Sequence, residues 1–138
     1  VEAAGILASE RGRRAIVLLT DGQATANVRS VSEAAREAAS RNVSVHTILE
    51  EPIGFFKGSA GRDTSLRQLA ELTGGLFRLD DRVTPDDAPP FPDILQALHR
   101  IYRIQFAVEG APGGVRQIDV RVKRPNVRAH ARKWFIAP

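Results

Sequence analysis

The sequence predicts an α/β protein: a parallel sheet in three layers with helices on both faces, followed by a C-terminal antiparallel β-hairpin. Three observations carry this. Ala15-Ile16-Val17-Leu18-Leu19 runs apolar without a break and stops at Thr20-Asp21-Gly22, as a strand buried on both faces ends in a turn. A capped helix and a β-branched run, Val43–Leu49, follow it, and strand–helix–strand succession predicts parallel strands joined by a right-handed crossover. Near Tyr102 the apolar period changes from helical to alternating, the mark of a half-buried strand.

The 138 residues suffice for one domain with a real core, and the apolar and charged shares are those of a globular protein. No apolar run approaches the roughly 18 residues that a membrane span requires, and no secretory signal pattern opens the chain. With no cysteine there is no disulfide and no thiolate metal site, which fits any compartment. Methionine is also absent, position 1 included, and Val1-Glu2-Ala3-Ala4 reads as a helix already under way. The expectation is therefore a fragment, a processed product or a non-Met start. The net charge of +4 comes from arginine spread along the chain, densest between Arg116 and Lys133.

In chain order, residues 1–11 form an amphipathic helix with Val1, Ala4, Leu7 and Ala8 on one side and Gly12 as its cap. The first strand covers 15–20 and a small, polar loop covers Gln23–Arg29. Ser30-Val31-Ser32-Glu33 is a capping box opening a helix to about Arg41. Its face of Ala34, Ala35, Ala38 and Ala39 permits close approach to a sheet, Glu37 and Arg41 are a favourable i,i+4 pair, and Asn42 ends it. The strand Val43–Leu49 leads into a long loop, 50–62. A helix over about 64–73 presents Leu66, Leu69, Ala70 and Leu72, Thr73-Gly74-Gly75 stops it, and Leu76–Leu79 is a short strand. After a Pro- and Asp-rich loop over 82–93, Ile94, Leu95, Leu98, Ile101 and Tyr102 make a helical face. Tyr102, Ile104, Phe106 and Val108 then alternate, Gly110–Gly114 turns, and Val115–Lys123 alternates again, which reads as a hairpin. Val127–Ile136 adds a further strand. The division is an α/β unit over 1–101 and a strand extension over 102–138 packed on or beside it.

The carboxyl ends of parallel strands are where ligands bind in open α/β sheets, and Asp21 stands there. Its plainer role is an Asx-type bond that shapes the turn. Glu50, Glu51, Asp80 and Asp81 also fall at strand ends, either as a second cation site or as a solvated rim. Phe55 and Phe56, adjacent in a Gly-flanked loop, suit either partner anchors or a cover for the sheet top. His46, His99 and His130 are scattered without ligand spacing, so neither a histidine metal site nor a catalytic dyad can be argued. The basic C-terminal residues with Trp134 and Phe135 fit a nucleic-acid surface. Arg121 and Lys123, however, fall on the outward side of an alternating strand, where solvent explains them, and the balance is against nucleic acid.

Ala15–Gly22 resembles the central strand and Thr-Asp-Gly turn of von Willebrand factor A domains. Leu66-Arg-Gln-Leu-Ala-Glu-Leu-Thr73-Gly74-Gly75-Leu-Phe77 resembles a stretch common in the bacterial members, and Tyr102–Phe106 through Val115–Lys123 to Ala129-His130-Ala131-Arg132-Lys133-Trp134-Phe135 resembles the tail of the bacterial VWFA-related group. The resemblance covers nearly the whole chain. It implies a Rossmann-like sheet and a non-enzymatic adhesion or interaction module that binds another protein through a divalent metal. In that family the metal is held by an Asp-x-Ser-x-Ser motif, a middle-loop Thr and the Asp of the Thr-Asp-Gly turn. Only the last has a counterpart here, Asp21. Asp63-Thr64-Ser65 is a near match, but Arg67 stands where the next Ser is required and the segment opens a helix, so Asp63 and Thr64 read as capping residues.

One carboxylate does not hold Mg²⁺ in octahedral geometry against water. The expectation is no cofactor for this chain alone, and Mg²⁺ (or Mn²⁺ or Ca²⁺) if the motif-bearing half is supplied. Partner contact is expected at Thr20, Gly22, Glu50, Phe55 and Phe56. The family's habit implies an extracytoplasmic location. A half-domain would leave the edge beside Ala15–Leu19 open, which predicts self-association by edge pairing. The competing function is a doubly wound enzyme or phosphoreceiver using Asp21. It is disfavoured because Lys57, inside a long loop, is the sole lysine between Gly22 and Pro92.

Overall fold

The computed structural model describes residues 1–23, 29–50, 60–80, 89–110, 113–127 and 129–137. Helix α1 (Glu2–Leu7) leads into β1 (Arg14–Thr20), α2 (Val31–Ser40), β2 (Val43–Glu50), α3 (Ala60–Thr73), β3 (Phe77–Asp80) and α4 (Phe91–His99). Two short strands, β4 (Val115–Gln117) and β5 (Trp134–Ile136), complete the described elements. Strands β1, β2 and β3 form a parallel sheet in that order, with Ile16 opposite Val45 and Ile48 opposite Arg78.

Local chemistry starts α2 as expected. Ser30 Oγ accepts from the Glu33 N–H at 3.2 Å while Glu33 Oε2 accepts from the Ser30 N–H at 2.8 Å, a complete capping box. Arg41 Nε donates to Glu37 Oε1 at 2.9 Å across one helical turn, and Asn42 takes the left-handed conformation that ends the helix (φ 55°). Ala35, Ala38 and Ala39 are buried. Their small side chains let α2 lie close to the sheet, where Ala38 joins Ala4, Val43 and Val45 in a cluster flanked by Leu7, Ile16 and Leu69.

Strands alternate their side chains between faces, so Val43, Val45 and Thr47 look toward α1, α2 and α3, and His46 and Ile48 look the other way. Helix α4 is tied to that second side. Arg78 Nε pairs with Asp93 Oδ2 at 3.0 Å, and Arg13 Nη1 donates to the Leu98 carbonyl at 2.9 Å. The small β4–β5 pair packs on α2.

Several expectations are corrected. The Ala15–Leu19 strand is not buried on both faces, with Val17 37% and Leu19 55% exposed, and among the described residues it is the outer strand of the sheet and not the central one. The central strand is β2, whose residues from Val45 to Leu49 are all buried. Helix α1 stops at Leu7, so Gly12 (φ 94°) turns the chain into β1 rather than capping the helix. Asp63 and Thr64 lie inside α3, which begins at Ala60, and Asp63 pairs with Arg67 at 3.1 Å instead of capping. Helix α4 starts at Phe91, behind Pro90, and ends at His99.

The hairpin of 102–108 with 115–123 does not form. Residues 101–109 carry no regular secondary structure, and β4 pairs antiparallel with β5, Arg116 opposite Phe135. Alternation marked both segments as strand-like, but it carries no information on which strand is the partner.

Candidate functional site

The site is the end of β1. Thr20 Oγ1 accepts from the Gly22 N–H at 3.1 Å, and Asp21 Oδ1 accepts from the Gln23 N–H at 2.9 Å. These are the side-chain-to-backbone bonds of an ST-turn followed by an Asx-turn. Gly22 sits at φ 72°, a conformation that favours glycine. The turn role of Asp21 is thus realised in the structure, and the exposed carboxylate also stands at the carboxyl edge of the sheet.

Register brings the neighbouring strand ends to the same edge. Thr20 lies opposite Leu49, and Glu50 lies opposite Asp80. Glu50 is exposed, whereas Asp80 is buried to 8% exposure. Thr20, Asp21, Gly22 and Glu50 therefore share one edge. The proposed anchors Phe55 and Phe56, with Glu51 and Asp81, lie outside the described residues. Among the described residues, no group of three or more His, Asp or Glu side chains comes together in a way that could hold a metal ion. Two shallow grooves lie elsewhere: one is lined by Glu71, Gly75, Ala131 and Lys133, the other by Ser32, Arg36, Leu72, Val115 and Trp134.

The basic C-terminal residues are partly engaged within the fold. Lys133 Nζ pairs with Glu71 at 2.7 Å, Arg121 pairs with Asp119 at 2.6 Å, and Arg132 Nη1 donates to the Ala39 carbonyl at 3.4 Å. Phe135 meets the ring of Phe106 edge-on, with centroids 5.7 Å apart.

Behind the strand-end edge lies a polar tie that the sequence reading missed. His46 is only 3% exposed, and its Nδ1 accepts from the Leu76 N–H at 3.1 Å. Its Nε2 is 3.4 Å from Ser44 Oγ. An accepting Nδ1 requires a neutral ring with the proton on Nε2, which then points at the serine hydroxyl. Burial holds the His46 pKa below the ordinary histidine value of 6.5. The available signal was an imidazole in the middle of a largely β-branched strand with a serine on its own face. The other two histidines, His99 and His130, are exposed.

Thr73-Gly74-Gly75, read as a helix stop, is also a docking device. Thr73 Oγ1 accepts from the Val45 N–H at 3.0 Å and donates to the Leu69 carbonyl at 2.9 Å. A Cβ on Gly75 would stand 2.0 Å from the Val45 carbonyl oxygen, and one on Gly74 would stand 2.7 Å from the Arg132 nitrogen. Both glycines are places where backbone meets backbone.

Fold and site together define an α/β protein with a three-stranded parallel sheet, flanking helices and a small antiparallel pair. No family model matches the chain. No curated protein matches it either. Among solved structures it is similar to an uncharacterized membrane spanning protein from Vibrio fischeri, with 26% identity and a TM-score of 0.44. The match covers 65% of this chain and 48% of that one, so this chain spans about half its length. Among the described residues no helix is long and apolar enough to cross a membrane.

Proposed function

We propose that this chain is a non-enzymatic protein-binding module of the von Willebrand A type, whose partner surface is the carboxyl edge of the sheet. One observation supports this reading above the others: the Thr20-Asp21-Gly22 turn ends a parallel strand, with Glu50 at the same edge. The division into an α/β unit over 1–101 and a strand extension over 102–138 belongs to the same reading. Asp21 is the remaining ligand of an adhesion-type metal site. The serine and threonine ligands that complete such a site in the family have no counterpart in these 138 residues, so this chain by itself binds Mg²⁺ weakly at best.

The test is incubation with acetyl phosphate and with a phosphate ester, alongside calorimetric titration with Mg²⁺ and Mn²⁺. The expected result is no labelling, no turnover and no saturable metal site. Labelling lost in Asp21→Asn would replace the binding module with a phosphoreceiver. A tight metal site abolished by the same substitution would mean that the chain holds its metal without further ligands.

A further inference from the structure

We infer that His46 is a pH-sensitive latch for β3: a proton on its ring frees Leu76–Asp80 from the central strand while β1, β2 and α2 stay folded. The inference stands apart from the proposed function, because it rests on the inside of the sheet and needs no partner.

The chain enters β3 through backbone that is fixed on both sides of the Leu76 N–H. On one side, Gly75 lies so close to β2 that a Cβ there would stand 2.0 Å from the Val45 carbonyl oxygen. On the other, the Leu76 carbonyl accepts from the Thr47 N–H at 2.9 Å. Thr73 Oγ1, which accepts from the Val45 N–H at 3.0 Å, holds the end of α3 just before. Among these ties, the 3.1 Å bond from the Leu76 N–H to His46 Nδ1 is the one whose acceptor titrates between about pH 5 and 8.

Protonation puts a hydrogen on Nδ1, facing the hydrogen of the Leu76 N–H. With both flanks held, the amide has no room to turn away. The ring is only 3% exposed, so water does not solvate the charge while β3 is docked. The charge is accommodated by separating Leu76 from His46.

The charged groups around the ring do not offset this. By strand alternation its face of the sheet carries Ser44, Ile48 and Glu50 on β2, Val17, Leu19 and Asp21 on and beyond β1, and Arg78 and Asp80 on β3. Arg78 stands opposite Ile48 and pairs with Asp93 of α4 at 3.0 Å. Asp21, Glu50 and Asp80 lie at the carboxyl end of the sheet. His99, at the end of α4, and His130, in the groove beside Gly75, are exposed. Burial is what holds the His46 pKa below 6.5.

β3 is the element that yields. It pairs with β2 over Thr47–Glu50 only, whereas β1 pairs over Val43–Leu49. The cluster of Ala4, Ala38, Val43 and Val45 lies on the face of β2 opposite His46 and is not touched by the proton. Segments with few ties open on their own, below the free energy of global unfolding. Because β3 ends at Asp80, opposite Glu50, its release also takes apart that side of the carboxyl edge.

Hydrogen exchange on the intact chain from pH 7.5 to pH 5, corrected for the chemical exchange rate, tests the latch. The open form takes up a proton at a higher pH than the closed form. The opening constant of Leu76–Asp80 should therefore rise by up to about tenfold per pH unit below about pH 6.5. The amides of α2 and of the β1–β2 ladder should keep their protection. His46→Gln should abolish the response, and His99→Gln and His130→Gln should retain it. Nitrogen-15 NMR of the His46 ring in the native chain needs no variant: above pH 7 the proton should be on Nε2 and Nδ1 bare. Protection of Leu76–Asp80 that is constant from pH 7.5 to pH 5 would overturn the inference. So would a protonated His46 ring with Leu76 still protected, loss of protection in β3 and α2 together, or an acid response that survives His46→Gln.

Discussion

The Leu76 N–H donates to His46 Nδ1 at 3.1 Å, joining the middle of the central strand to the residue that leads into β3. The bond exists only while the imidazole is neutral, because a protonated ring would set two donors against each other. The His46 pKa is depressed by burial from 6.5. The unfolded chain therefore takes up a proton at a higher pH than the native one.

Stability should accordingly be constant with respect to this group above about pH 6.5 and fall as pH drops from there toward the lower native pKa. Urea denaturation between pH 5 and pH 8 measures it. In His46→Gln, whose side-chain oxygen can accept from Leu76, that part of the pH dependence should disappear. In His46→Ala the Leu76 N–H loses its partner, at a cost of about 1–3 kcal/mol at neutral pH.

Gly75→Ala should be among the most damaging single substitutions. The added carbon would stand 2.0 Å from the Val45 carbonyl oxygen, which is backbone of the central strand and cannot swing aside. A loss of at least about 2–3 kcal/mol is expected, as for overpacked interiors. Gly12→Ala is the converse case: its φ of 94° is unfavourable for alanine, a strain absent at Gly75, but the added carbon meets nothing, and a cost of about 1–2 kcal/mol follows from backbone strain alone. Thermal melts of the two variants separate contact from conformation.

Thr73→Val retains the shape of the side chain and removes its hydroxyl. The buried Val45 N–H then loses its acceptor, and about 1–3 kcal/mol should be lost. Thr73→Ser, which restores the oxygen, should recover most of it. Chemical denaturation of the pair tests whether the hydroxyl or the methyl group matters.

Ser30→Ala should cost about 1 kcal/mol by removing the cap of α2. The Glu33 carboxyl is held below its ordinary value chiefly by the hydrogen bond from the Ser30 backbone. That contribution is present above the unfolded carboxyl pKa and is lost as pH falls through the native one. Ser30→Ala retains this backbone bond and should keep part of the acid dependence, whereas Glu33→Ala should remove it. Melts at pH 3 and pH 7 distinguish them.

What the sequence determines by itself is local. The capping box at Ser30, the Asn42 stop, the limits of the first two strands and the turn at Asp21 follow from side chains reaching backbone groups a few residues away. No other part of the chain is needed to read them. The tertiary structure decides what depends on distant partners. An apolar run such as Ala15–Leu19 looks the same in a central strand as in an outer one, and only the pairing, with β2 alone among the described residues, sets it on the outside.

Alternation at Tyr102–Val108 and at Val115–Lys123 was legible, yet β4 took Trp134–Ile136 as its partner. Pairing across a chain is set by whole-molecule packing and leaves no trace in the period. The same holds for His46 and Gly75. An imidazole becomes a buried acceptor, and a glycine becomes indispensable, only when another stretch of backbone is folded to within hydrogen-bonding or contact distance.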